Sequence, residues 1–192
     1  MKRKFKSGLA LLTVLTMGMS LAGCGGSGDT TAAEEGALTN NGNYIFATGG
    51  TSGTYYPLGG AMATIINGAV EGTNITVQST GASKENIMLV SKGEADYAIV
   101  QNDVLDYADK GIQLFEGEKI TGVSTVASIY PEIVQIVVGA DSGIKTVADL
   151  KGKRVSIGDA GSGVEANALQ VLEAYGMTVD DVNLSRLSFK ES

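Results

Sequence analysis

The 192-residue chain has no histidine and a single cysteine, Cys24. Without histidine it lacks the commonest general base and the commonest neutral metal ligand. A Ser-His-Asp or Cys-His centre cannot be assembled from these residues. One cysteine and no histidine leave no ligand set for zinc, and Cys24 has no partner for an internal disulfide. A Gly-x-x-x-x-Gly-Lys-Ser/Thr phosphate loop is also missing. The run Gly158-Asp159-Ala160-Gly161-Ser162-Gly163 does not have the Gly-x-Gly-x-x-Gly spacing of a dinucleotide site. No metal or cofactor is expected. Carboxylates are plentiful, so paired-carboxylate glycoside chemistry stays open on composition alone, without a spacing that supports it.

What is present begins with a leader. Lys2, Arg3, Lys4 and Lys6 precede an apolar run from Leu9 to Met19, which is too short to span a bilayer as a mature helix. Leu21-Ala22-Gly23-Cys24 comes next and resembles a bacterial lipoprotein signal, in which the cysteine is lipidated and becomes the new N-terminus. Residues 1–24 are read as that signal and residues 25–43 as a flexible tether rich in Gly, Ser, Thr, Ala and Asn. The expected location is the extracytoplasmic face of a bacterial membrane, held by lipid at Cys24. Four of the 14 basic residues lie before Cys24 and all 21 acidic ones after it, so the remainder carries a formal charge of −11. That charge argues against nucleic acid and against an anionic membrane surface as partners.

Beyond the tether, strand and helix patterns alternate. Strands are predicted at Tyr44–Ala47, Thr73–Gln78, Ala95–Val100, Ile120–Tyr130, Ile133–Val138, Arg154–Ile157 and Val182–Leu187. Helices are predicted from Pro57, over Ser83–Lys92, from Gln101–Asp103 to Lys110, and over Val164–Tyr175, with a capped turn at Thr146–Asp149. The alternation predicts an α/β fold with mostly parallel sheets. It divides into a first lobe at 44–138 and part of a second at 139–192.

Ligands of open α/β sheets bind beyond the carboxyl ends of the strands. The rule draws attention to Gly50-Thr51-Ser52-Gly53-Thr54-Tyr55-Tyr56, a glycine-rich turn with three hydroxyls between a strand and a helix. Glycines let a ligand approach the main chain, and a helix N-terminus favours an anion. Ser79–Ala82 fall at a second strand end, Gln101, Asn102 and Asp103 at a third, and Ala160 with Gly161, Ser162 and Gly163 at a second glycine-rich turn. Tyr130, beside Pro131, is read either as a ligand contact or as a ring packed in the core. Glu165, three residues after Ser162, fits a capping box, and Asp103 suits a helix start. Lys151, Lys153 and Arg154 sit at the opposite edge and read as a solvated turn. The expected site thus holds a small carboxylate with hydroxyls and helix ends, without a Lys or Arg.

The segments Thr48–Gly60, Ser79–Asn86, Ala95–Asp103 and Asp149–Gly158 with Gly161-Ser162-Gly163 together resemble the TAXI family of TRAP-transporter substrate-binding proteins. The resemblance runs from Asn43 to Ser192. The Asp149–Val155 run alone is common to many bilobal binding proteins. The resemblance implies a bilobal, periplasmic-binding-protein-like (type II) fold whose second lobe is incomplete over this length. It implies a receptor, not an enzyme, that closes on a glutamate- or dicarboxylate-like ligand and delivers it to an ion-coupled TRAP membrane subunit. By motif position Thr51–Tyr56 and Gln101–Asp103 line one side of the ligand and Gly161–Gly163 the other. The alternatives are a binding lipoprotein of an ABC importer, an extracytoplasmic sensor lobe, and an extracytoplasmic enzyme of the same fold.

Overall fold

The structure, a computed structural model, describes residues 42–192. The leader, Cys24 and nearly all of the tether lie outside the described residues.

Two parallel sheets carry the chain. Strand β1 (Asn43–Ala47) lies at the centre of a three-stranded sheet, flanked by β2 (Asn74–Gln78) and β3 (Tyr97–Ala98). Strands β4 (Arg154–Ser156) and β5 (Asn183–Ser185) form the second sheet. Each parallel step needs a crossover, and helices supply them. These are α1 (Tyr55–Ala69) between β1 and β2, α2 (Ser83–Ser91) between β2 and β3, and α4 (Gly163–Ala174) between β4 and β5. Helix α3 (Asn102–Lys110) comes after β3. The α/β class expected from the alternating pattern is the class observed.

Helix α1 buries Tyr55, Gly59 and Ala63, spaced four apart and therefore stacked on one face. That face meets Phe46, Ile75 and Ile99 in the first apolar core. Gly59 is required there, because a Cβ would stand 2.5 Å from the Thr48 methyl group. A second core gathers Ile87 of α2, Val104 and Ala108 of α3, Phe115 and Ala166 of α4. Through Ala166, helix α4 shares this apolar cluster with α2 and α3. Leu150, Leu172, Met177 and Val182 make a third cluster beside β4 and β5. The described residues fall within one compact unit.

The strands expected at Ile120–Tyr130 and Ile133–Val138 do not form. The segment runs without regular structure. Its apolar alternation is of strand type, yet Val126, Ile133 and Val137 are largely exposed. A strand exists only where a neighbour takes its N–H and C=O groups, and no backbone hydrogen bond ties residues 121–138 to other described residues. The strand expected at Ala95–Val100 is likewise shorter, with Tyr97 and Ala98 in register with β1 and the Asp96 and Ile99 N–H groups donating to it.

Candidate functional site

The ends of the first three strands are locked by one buried side chain. Asn86 on α2 is fully buried and donates through Nδ2 to the carbonyls of Thr48 (2.6 Å) and Ile99 (2.8 Å). Its Oδ1 accepts from the Thr80 hydroxyl at 2.6 Å, and the Thr48 hydroxyl donates to the Gln78 carbonyl at 2.7 Å. Residues 48, 80 and 99 come just after β1, β2 and β3, so this network fixes where the three adjoining loops begin.

A groove of about 420 Å³ opens at these ends. It is lined by Gly50, Thr51 and Ser52 after β1 and by Ser79, Thr80 and Gly81 after β2. Facing them are Asp159 and Ala160 after β4, and Ser188 and Lys190 after β5. Four strand ends therefore converge on one groove, as the strand-end rule requires. The Thr51 and Ser52 side chains are exposed and make no hydrogen bond to the described residues. Helix α1 starts beside them without a side-chain cap and without an acidic residue in its first turn. Its leading N–H groups and positive dipole end are open to an anion.

The second glycine-rich turn is different. Ser162 accepts the Glu165 N–H at 3.1 Å, which caps α4. The buried Glu165 carboxylate accepts the Gly161 N–H at 2.6 Å and the Arg186 Nε–H at 2.5 Å. The anion position at this helix start is filled by the chain's own carboxylate. The capping role expected for Glu165 is the one observed, with Gly161 rather than Ser162 as the N–H that its carboxylate takes.

Gln101 and Asp103 face α4, not the groove. The Gln101 amide donates to Asn167 Oδ1 at 2.7 Å, and the Asn167 amide donates to Asp103 Oδ2 at 2.8 Å. Gln170 donates to the Tyr107 hydroxyl at 2.7 Å one turn further along. Gly163 is needed for this contact, because any Cβ there would collide with the Gln101 carboxamide. The strand-end rule failed for these residues because α4 packs directly over the start of α3.

Asn102 is exposed and borders a different groove of about 400 Å³ along α3. That groove carries Asp106 and Asp109, so its charge opposes an anion.

Tyr55 and Tyr130 both donate to Glu132, at 3.1 and 3.0 Å. Burial, then the Glu132 carboxylate, pushes the Tyr55 phenol far above its ordinary value. Burial and the Glu132 bond push Tyr130 up to about 12. Both phenols are protonated donors held on one carboxylate, and Tyr130 packs against the first core.

Of the sequence-predicted residues, Gly50, Thr51 and Ser52 line the groove, as do Ser79, Thr80, Gly81 and Ala160. Gly53, Thr54, Tyr55 and Tyr56 continue the same loop into α1. Gly161, Ser162 and Gly163 come after Asp159 and Ala160 but are occupied by the α4 cap and by Gln101. Lys151 pairs with Asp181 at 2.9 Å, on the exposed surface at the other end of β4. The expectation of a cleft without Lys or Arg is corrected by Lys190. Asp159, Ser188 and Lys190 were missed, although the strand-end rule applied to Val182–Leu187 would have pointed at 188–190.

Residues 46–192 match a family described as NMT1-like, and both glycine-rich turns and the whole groove lie inside the match. The chain belongs to the NMT1-like family. Among solved structures it is similar to the alkanesulfonate-binding protein of Xanthomonas axonopodis pv. citri, bound to MOPS. The two are 17% identical over 78% of this chain and 48% of that one, with a TM-score of 0.47. The NMT1-like chain described here thus spans about half the length of that protein.

Proposed function

We propose that this NMT1-like chain belongs to an extracytoplasmic solute-binding protein, which captures a small organic anion in the groove between its two parallel sheets. The two sheets are the facing parts of two lobes, and capture involves no chemistry on the ligand. The observation that carries the reading is the convergence of four strand ends on one groove that holds a lysine and two hydroxyls without a partner among the described residues. The lipoprotein-type leader supports a location outside the cytoplasm, with anchoring through Cys24. The solved alkanesulfonate-binding protein extends the ligand panel to sulfonates.

The ligand is handed to an ion-coupled TRAP-type membrane subunit, in line with the TAXI-like motifs at Thr48–Gly60 and Ala95–Asp103. An ABC importer is the second reading, and the NMT1-like family placement favours keeping it. Titration calorimetry of the full-length protein in detergent against dicarboxylates, amino acids and sulfonates tests capture. Failure to bind any of them removes it. Uptake that collapses with the ion gradient supports the TRAP reading, and uptake that tracks ATP supports the ABC reading. Loss of a sensory response with intact uptake would mark a sensor lobe instead.

A further inference from the structure

The groove contains two side chains of opposite charge that pair neither with each other nor with the other described residues. Asp159 comes after β4 and Lys190 after β5, and both line the same space of about 420 Å³. The ion pairs among the described residues join Lys110 to Asp106, Lys119 to Asp109, Lys151 to Asp181 and Arg186 to Glu165. Asp159 and Lys190 are in none of them, so they lie beyond ion-pair reach of each other, and neither side chain has a hydrogen bond within the described residues. Lys190 acts on its chain neighbour Glu191 only weakly. That carboxyl is held below its usual range first by the Ser188 hydroxyl and N–H, and then to a lesser degree by Lys190.

The Asp159 carboxylate and the segment that carries Lys190 border different parts of the first glycine-rich turn. The Asp159 carboxylate lies over Gly50, with Oδ2 3.8 Å from where a Cβ at that glycine would stand. The ring of Phe189, next to Lys190, lies over Gly53 at 3.3 Å from the corresponding point. Gly53 adjoins the open N-terminus of α1, and the free Thr51 and Ser52 hydroxyls lie between the two glycines. The groove therefore offers Lys190 to an anionic group and Asp159 to a cationic one. A dianion would set one of its charges against Asp159, and like charges brought together in a partly desolvated groove repel.

We propose that Asp159 and Lys190 are a specificity-determining pair that selects a zwitterion, an ammonium beside a carboxylate or sulfonate, over a doubly charged anion. The proposal rests on the solute-capture reading and narrows its ligand.

Calorimetry of the full-length protein in detergent with matched pairs tests it: glutamate against glutarate, alanine against propionate, and taurine against ethanesulfonate. At least one zwitterion is expected to bind tenfold or more tighter than its partner without the ammonium, and the winning pair identifies the anionic head. In D159N that preference is expected to collapse, with affinity for the zwitterion falling at least tenfold and glutarate affinity rising. In K190Q both members of the winning pair are expected to weaken. If in every pair that binds wild type the ammonium-free acid binds as tightly as its zwitterion, the proposal is overturned and capture stands. If D159N weakens both members equally, Asp159 is not the selecting group and the proposal is again overturned. If no member of any pair binds, both the proposal and the capture reading fall. Asp159 makes no side-chain bond to the described residues, so D159N should fold, and the wild-type pairs decide the matter if it does not.

Discussion

The two glycine-rich turns join a strand to a helix in the same way and end in opposite states. After β1, the turn reaches α1 with no cap and no acidic residue in the first turn. After β4, the turn reaches α4 with Ser162 as cap and with Glu165 folded back onto Gly161 and Arg186. A helix start needs partners for its leading N–H groups. One turn finds them within the chain and becomes structural. The other leaves them to solvent or to a ligand. The difference lies in the residues just after the glycines: Ser-Gly-Val-Glu supplies an acceptor at the third helical position, and Thr-Tyr-Tyr-Pro does not.

The sharpest way to break the open turn is to remove its support. Asn86→Ala leaves the Thr48 and Ile99 carbonyls and the Thr80 hydroxyl without their buried partner, which should cost about 2–4 kcal/mol. Urea denaturation measures it, and a loss below about 1 kcal/mol would mean that the strand ends hold themselves.

Glu165→Ala should convert the filled turn toward the open kind. It frees the Gly161 N–H and Arg186 at a cost of about 2 kcal/mol, moderated because Arg186 is half-exposed. Added sulfate should recover part of that loss by occupying the vacated position. Melting curves that respond to sulfate as wild type does would refute the equivalence of the two helix starts.

Tyr55→Phe tests the other neighbour of the open turn. The Tyr55 and Tyr130 phenols have folded values raised above the ordinary one near 10. The folded state therefore holds these protons more tightly than the unfolded chain. Their contribution is complete below pH about 10 and is lost as pH rises through the folded values. Tyr55→Phe should cost about 1 kcal/mol near neutrality through the Glu132 bond, and it should flatten the decline of stability above pH about 10. Equal alkaline slopes for the two proteins would show that Tyr55 does not carry it.

The smallest effect on folding is expected from Thr51→Ala with Ser52→Ala. These hydroxyls are exposed and unbonded within the described residues, so stability should stay within about 0.5 kcal/mol. Ligand affinity should still fall, by about 1.5–3 kcal/mol for each hydrogen bond lost to a charged ligand. A large fall in stability would make the turn structural, like its counterpart after β4.

Most elements were legible in the sequence because their patterns are local. The helix starts of α2 and α4, the stop at Gly176 and the strand at Thr73–Gln78 come from side-chain periodicity and capping. Asn86 was visible only as part of a motif, since nothing in its own neighbourhood reveals that it reaches two strand ends 38 and 13 residues away. The segment 120–138 has strand alternation without a strand, because a ladder depends on a neighbour and not on the segment's own pattern.

By itself the sequence determined the α/β alternation and the position of a hydroxyl-rich turn at a strand end. The tertiary structure decided which candidates share a space. It drew Gln101 and Asp103 to Asn167, Tyr55 and Tyr130 to Glu132, and placed Asp159 and Lys190 opposite Thr51 and Ser52. Periodicity and capping act over one or two helical turns and can be read along the chain. The groove is made by residues from about 50, 80, 160 and 190, and their meeting depends on how α4 packs against α2 and α3.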